Sequence, residues 1–147
     1  MSKKIAYTVT FQRSHNYGAM LQCWALLEAL KQLGYDAKSI DYTTMKEPIF
    51  HGFKWDGSLI EKTIYNIRIL LHPGMLVGYQ RYEMFYDKWV DHTEQFKTWE
   101  ELLSFFKKII GGIVISGSDQ VWNCAMNNPH GLSPFYALEF VDRKSVV

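Results

Sequence analysis

Two short strings carry most of the residues that could do chemistry. The first reads Arg13-Ser14-His15-Asn16-Tyr17-Gly18. Arg13 and His15 are donors that carry or acquire positive charge, and Asn16 suits the N-cap of a following helix. The N-terminus of such a helix has unpaired backbone N–H groups and about half a positive charge. Gly18 lacks a Cβ, so a ligand can approach the backbone. Phosphate or carboxylate is the ligand chemistry that fits. An ordinary cap fits as well, with Asn16 closing the helix and Arg13 and His15 turned to water. The second string reads Gly117-Ser118-Asp119-Gln120-Val121-Trp122-Asn123. Asp119 there is a general base, an acceptor for sugar hydroxyls, or a structural N-cap. Trp122 either stacks on a sugar face or packs in the core or at its edge.

The sequence lacks GxxxxGK[ST], GxGxxG, HExxH and any Asp-x-Asp pair, so no nucleotide cradle or zinc site is marked. His15, His51, His72, His92 and His130 are scattered without ligand spacing, and no metal is expected. Cys23 and Cys124 stand far apart, which excludes a disulfide scaffold and reads as two buried reduced thiols. Sixteen Lys+Arg against 15 Asp+Glu give a net charge of +1. That balance argues against nucleic acid as the main partner and provides no long-range field toward an anionic membrane. The most apolar run, Ile109–Ile115, is too short to span a bilayer, and no targeting segment is visible. A cytoplasmic location without membrane insertion is the expectation. The 147 residues, 48% of them hydrophobic, are enough for one domain with a core of its own.

The elements that must position the two strings follow from periodicity. Ile5–Phe11 reads as a buried strand, and Tyr17–Leu33 as a helix with Ala19, Cys23, Leu26, Leu30 and Leu33 at helical spacing. Met20, Trp24 and Leu27 widen that stripe, so the helix should be covered on much of its circumference. Gly34 marks its end, and Ala37–Tyr42 is a second strand, completing a βαβ unit. Thr43–Gly57 reads as an irregular loop. Ser58 with Glu61 and Thr98 with Glu101 are capping boxes opening two further helices, the first with Ile60, Ile64, Ile67 and Leu71 on one face. Pro73-Gly74 reads as a turn, and Tyr82, Phe85, Tyr86 and Trp89 as a helical stripe belonging to the core. Ile109–Ser116 is a third strand; Ser133–Val141 has no clear assignment. The fold class is α/β with a small parallel sheet. With the first strand between the other two, both strings leave the carboxyl ends of adjacent strands at a topological switch point, where open α/β sheets bind ligands.

The string His15-Asn16-Tyr17-Gly18-Ala19-Met20-Leu21-Gln22 followed by Ala25-Leu26, and the string Gly117–Asn123, resemble the two signature stretches of the polysaccharide pyruvyl transferase family. The spacer fits too, with Asp41-Tyr42, Phe85 to Leu103 including Thr98-Trp99-Glu100-Glu101-Leu102, and Phe135–Val141. The resemblance implies a Rossmann-like three-layer half-domain, similar to the N-terminal domain of a GT-B-type transferase. It also implies a second α/β half, missing here, so that a fragment or truncated frame is expected.

By the same resemblance the substrates are phosphoenolpyruvate, as donor and without a separate cofactor, and a saccharide acceptor on a cell-surface polysaccharide or its lipid-linked precursor. Asp119, as base or acceptor-orienting group, and His15, as anion holder or alternatively the acid, are the expected catalytic residues. Arg13, Asn16, Gly18, Gln22, Gly117, Ser118, Gln120, Trp122 and Asn123 are the expected binding residues. Two rival readings stand beside it: a metal-independent GT-B-type glycosyltransferase, and a non-catalytic fragment that binds sugar or a partner, pairs with itself as a homo-oligomer, or docks on the missing half.

Overall fold

Alternation along the first strand sorts the protein into layers. In Lys4–Val9 (β1), Ala6 packs with Met20, Cys23, Leu27, Leu30, Tyr82 and Tyr86, whereas Tyr7 and Val9 pack with Ile40, Phe96, Leu102, Phe135 and Phe140. Successive strand side chains point to opposite faces, so one strand seeds two cores. The computed structural model describes residues 4–11, 13, 15–43, 49–50, 52–54, 57–109, 111–117 and 134–141. After β1 come α1 (Tyr17–Gln32), β2 (Tyr35–Ser39), β3 (Ile49–Phe50), β4 (Phe53–Lys54), α2 (Leu59–Leu71), α3 (Pro73–Trp89), α4 (Trp99–Lys107) and β5 (Ile113–Ser116).

The main sheet has the order β2-β1-β5, all parallel, with Ala6 opposite both Ala37 and Ile113. The first strand is therefore central, as the switch-point argument requires, and the fold is a Rossmann-like α/β half-domain. Helices α1 and α3 cover one face; α4 and the turns at 134–140 cover the other. Beyond β2 the sheet edge is closed by the segment after α3. Ser39 N donates to Asp91 O at 2.8 Å, Thr93 N to Ser39 O at 2.9 Å, and Phe96 N to Asp41 O at 2.8 Å. An edge strand left open there would present unpaired donors and acceptors to another chain.

Several expectations are corrected. Gly52 lies between β3 and β4, which pair antiparallel within the segment expected to be only a loop. Pro73-Gly74 does not turn the chain but opens α3, because the missing N–H of proline has no helical partner at that position. The third strand begins at Ile113 rather than Ile109. Gly111 and Gly112 have φ of 82° and 114°, and a Cβ on Gly112 would sit 2.9 Å from the Ile5 carbonyl oxygen. Glycine there lets the incoming chain press against β1. Helix α1 buries only the stripe Met20, Cys23, Leu27 and Leu30, leaving Leu21, Trp24 and Leu33 exposed. Trp89, expected in the core, is 52% exposed beside Lys88.

Both capping boxes form. Glu61 N donates to Ser58 Oγ at 3.2 Å and Glu101 N to Thr98 Oγ1 at 3.2 Å, with each glutamate returning to its cap's backbone N–H. Helix α2, however, turns its isoleucine stripe outward. Ile69 is fully buried, while Ile60, Ile64, Ile67 and Leu71 are all exposed. The helix is seated by Ile69, by the Tyr65–Tyr79 hydroxyl contact at 3.2 Å, and by Asn66, which bonds the Lys54 backbone on both sides. Ile69→Ala should therefore cost about 2–5 kcal/mol by leaving a cavity. Ile64→Ala, at 63% exposure, should stay within about 0.5 kcal/mol. Urea unfolding midpoints of the two variants check the contrast.

Candidate functional site

The rim at the carboxyl ends of the strands is built by backbone continuity. Gly117 N donates to Val9 O at 3.0 Å just past the ends of β5 and β1, and Ile40 N donates to Thr8 O at 2.8 Å just past β2. Residues 10, 11, 13, 15–18 and 40–43 and Gly117 therefore leave the sheet on one side. Asn16 caps α1, its side chain accepting from Gly18 N at 2.8 Å and Ala19 N at 3.4 Å. Two N–H groups of that helix terminus are thus taken by the cap.

Arg13 and His15 do not turn to water. Asp41 accepts from Arg13 Nε at 3.0 Å and from Nη2 at 2.5 Å, a two-pronged pair, and is 1% exposed. The remaining guanidinium edge, Nη1, is ion-paired to Glu83 Oε2 of α3. His15 Nε2 lies 3.0 Å from the other oxygen of the same carboxylate, Oε1. The guanidinium also sits 4.3 Å above the Tyr86 ring. Burial works against the charge of Arg13. The hydrogen bond and charge of Asp41, joined by Glu83, outweigh that and raise its pKa. His15 is wedged between Tyr79 and Tyr82, with ring centroids 4.7 and 5.1 Å away, and takes a left-handed backbone at φ 51°. A non-glycine residue held in that region is uncommon and needs its surroundings to fix it. The small hairpin contributes to this: a Cβ on Gly52, whose φ is 90°, would lie 2.8 Å from the Tyr79 ring.

Of the residues singled out in the sequence, Arg13, His15, Asn16, Gly18 and Gly117 come to one rim. Gln22 lies on α1 and is exposed. Ser118, Asp119, Gln120, Trp122 and Asn123 lie outside the described residues, as does Cys124. Cys23 is a buried free thiol, 3.5 Å from Ser39 Oγ, and burial pushes its pKa up. Among the described residues there is no group of His, Cys, Asp and Glu arranged to hold a metal ion, and no helix long and apolar enough to cross a membrane. Sequence reasoning missed Asp41 and Glu83 as partners of the cationic loop. Asp41 had a weak signal in following the second strand; Glu83, midway along a helix between two tyrosines, had none.

A central parallel strand flanked by parallel neighbours, with helices on both faces of the sheet, defines a Rossmann-like α/β half-domain. The polysaccharide pyruvyl transferase family model matches residues 16–145. The chain belongs to that family, and with it to the transferases. No curated protein and no solved structure matches it.

Proposed function

We propose that this chain provides the rim on which a pyruvyl group passes from phosphoenolpyruvate to hydroxyls of a cell-surface polysaccharide or its lipid-linked precursor. The observation that supports it most is the convergence of Arg13, residues 15–18 and Gly117 at the carboxyl ends of adjacent parallel strands, within a family match spanning residues 16–145. Ketal formation needs an acid to protonate the enol methylene of the donor, converting it to a methyl group. It also needs a base to take a proton from the attacking hydroxyl. The second hydroxyl then displaces phosphate at the same carbon. Of the two protons lost by the diol, one ends on the methyl group and one leaves with phosphate.

In this reading His15 is the acid, and Arg13 supplies the positive charge that phosphate and carboxylate require. Asp119 is the base, with Gln120 and Asn123 as hydrogen-bond partners of the sugar. Phosphoenolpyruvate should raise the melting temperature of the chain, and a nucleoside diphosphate should not. Stabilisation by the nucleotide alone would replace this reading with that of a glycosyltransferase. In an active preparation, His15→Ala and Asp119→Asn should each lower kcat more than tenfold; effects within about threefold remove both from the chemistry.

A further inference from the structure

The pairing of Glu83 defines an anion site that is already filled. One carboxylate spans two nitrogens of the loop, Oε2 on the Arg13 guanidinium Nη1 and Oε1 on His15 Nε2. Two oxygens of one planar group bridging an arginine edge and an imidazole is the contact a substrate carboxylate or phosphate would make. We propose that Glu83 is the resident occupant of this site, and that an anionic ligand binds only by taking its place. This rests on the reading that the rim accepts an anionic substrate.

Three observations carry it. Arg13 does not depend on Glu83 for its position, because Asp41 holds its Nε and Nη2 from the opposite side. Withdrawal of Glu83 therefore frees Nη1 without releasing the guanidinium. The exposures differ in the same sense: Asp41 is 1% exposed, whereas the Glu83, Arg13 and His15 side chains are 19%, 18% and 13% exposed. Solvent therefore touches Glu83, Arg13 and His15 but not Asp41. Finally, Arg13 carries one positive charge against two carboxylates, so even with His15 protonated the cluster sums to zero. A second anion gains nothing from a cluster already neutralised, whereas exchange of one carboxylate for another anion keeps the charge balance and the two-oxygen geometry. The gate also confers selectivity, since a neutral sugar cannot compete with the Glu83 carboxylate for the Arg13 guanidinium.

The test is titration of the full chain with inorganic phosphate at low ionic strength, followed by calorimetry. Glu83→Gln, which keeps the shape and loses the charge, should bind phosphate at least about tenfold more tightly than the parent. The gain should vanish when Arg13→Gln is added. Glu83→Asp, which keeps the charge but shortens the reach, should show a smaller gain. Equal or weaker phosphate binding in Glu83→Gln overturns the proposal, as does a gain that survives Arg13→Gln. Loss of the folded state in both Glu83 variants also overturns it, because the residue is then a structural strap. Phosphoenolpyruvate separates the two levels of inference. A gain with phosphate but no binding of phosphoenolpyruvate upholds the gate and removes the donor assignment; binding of phosphoenolpyruvate equal in parent and variant does the reverse.

Discussion

Asp41→Ala should destabilise the chain by about 3–5 kcal/mol, the largest loss expected of any single change at the rim. Asp41 is 1% exposed and accepts from Nε and Nη2 on one edge of the Arg13 guanidinium at 3.0 and 2.5 Å. Removing it leaves a charged group, only 18% exposed, without the carboxylate that paired its Nε and Nη2 donors. Glu83 remains on Nη1, which places the loss toward the lower end of that range. The pair itself need not be worth this much, since attraction between buried charges is offset by the desolvation of both. Removing both partners should therefore hurt less than removing one. Arg13→Met combined with Asp41→Leu is expected to be more stable than Asp41→Ala alone, because no uncompensated charge is left. Guanidinium denaturation of the single and double variants measures the difference. A double variant less stable than Asp41→Ala would show that the ion pair is itself a net source of stability.

Stability should also fall steeply on the alkaline side. Burial raises the pKa of the Tyr82 and Tyr86 phenols well above their ordinary value of 10.0, and that of the Cys23 thiol above 9.0. All three side chains lie in one core cluster. In the unfolded chain these groups lose their protons at the ordinary values, while the folded chain still holds them. The unfolded state thus binds fewer protons in this window, and stability decreases as pH rises. The contribution is fully present below pH 9, begins to fade as the thiol value is passed, and fades faster beyond pH 10. Each tyrosine adds a slope of at most about 1.4 kcal/mol per pH unit, so the pair reaches about 2.7 kcal/mol per unit. Thermal unfolding followed between pH 8 and pH 11 should show this decline. Tyr82→Phe should shallow it, since one titrating group is removed. A flat profile to pH 11 would mean that these phenols are reached by water in the folded state.

How much was legible in the sequence depended on how local the determining interactions are. The capping boxes at Ser58 and Thr98 formed as read, because each joins groups three residues apart and needs no other part of the chain. Asn16 capped α1 for the same reason. The strand, helix, strand order at the start of the chain was legible from residue type and period, whereas the central place of β1, only a condition of the switch-point argument, was decided by the β2-β1-β5 pairing. Periodicity showed that α2 has an apolar face but not which way that face turns. The outward placement of Ile60, Ile64 and Ile67 was decided by what Ile69 and Tyr65 found to pack on. Trp89 was misread in the same way: helical spacing grouped it with Tyr82 and Tyr86, but the buried stripe continues at Val90 and leaves Trp89 beside it, 52% exposed.

The sequence by itself determined the family, the α/β class, and that Arg13 and His15 would stand together at the mouth of the first helix. Only the tertiary structure decided what those two residues do there. Their partners, Asp41 and Glu83, lie 28 and 70 residues beyond Arg13 and meet it where β2 and α3 converge on the rim. A charge on a loop takes its meaning from whichever charges the fold brings within a few ångströms, and no local pattern of residues specifies that meeting.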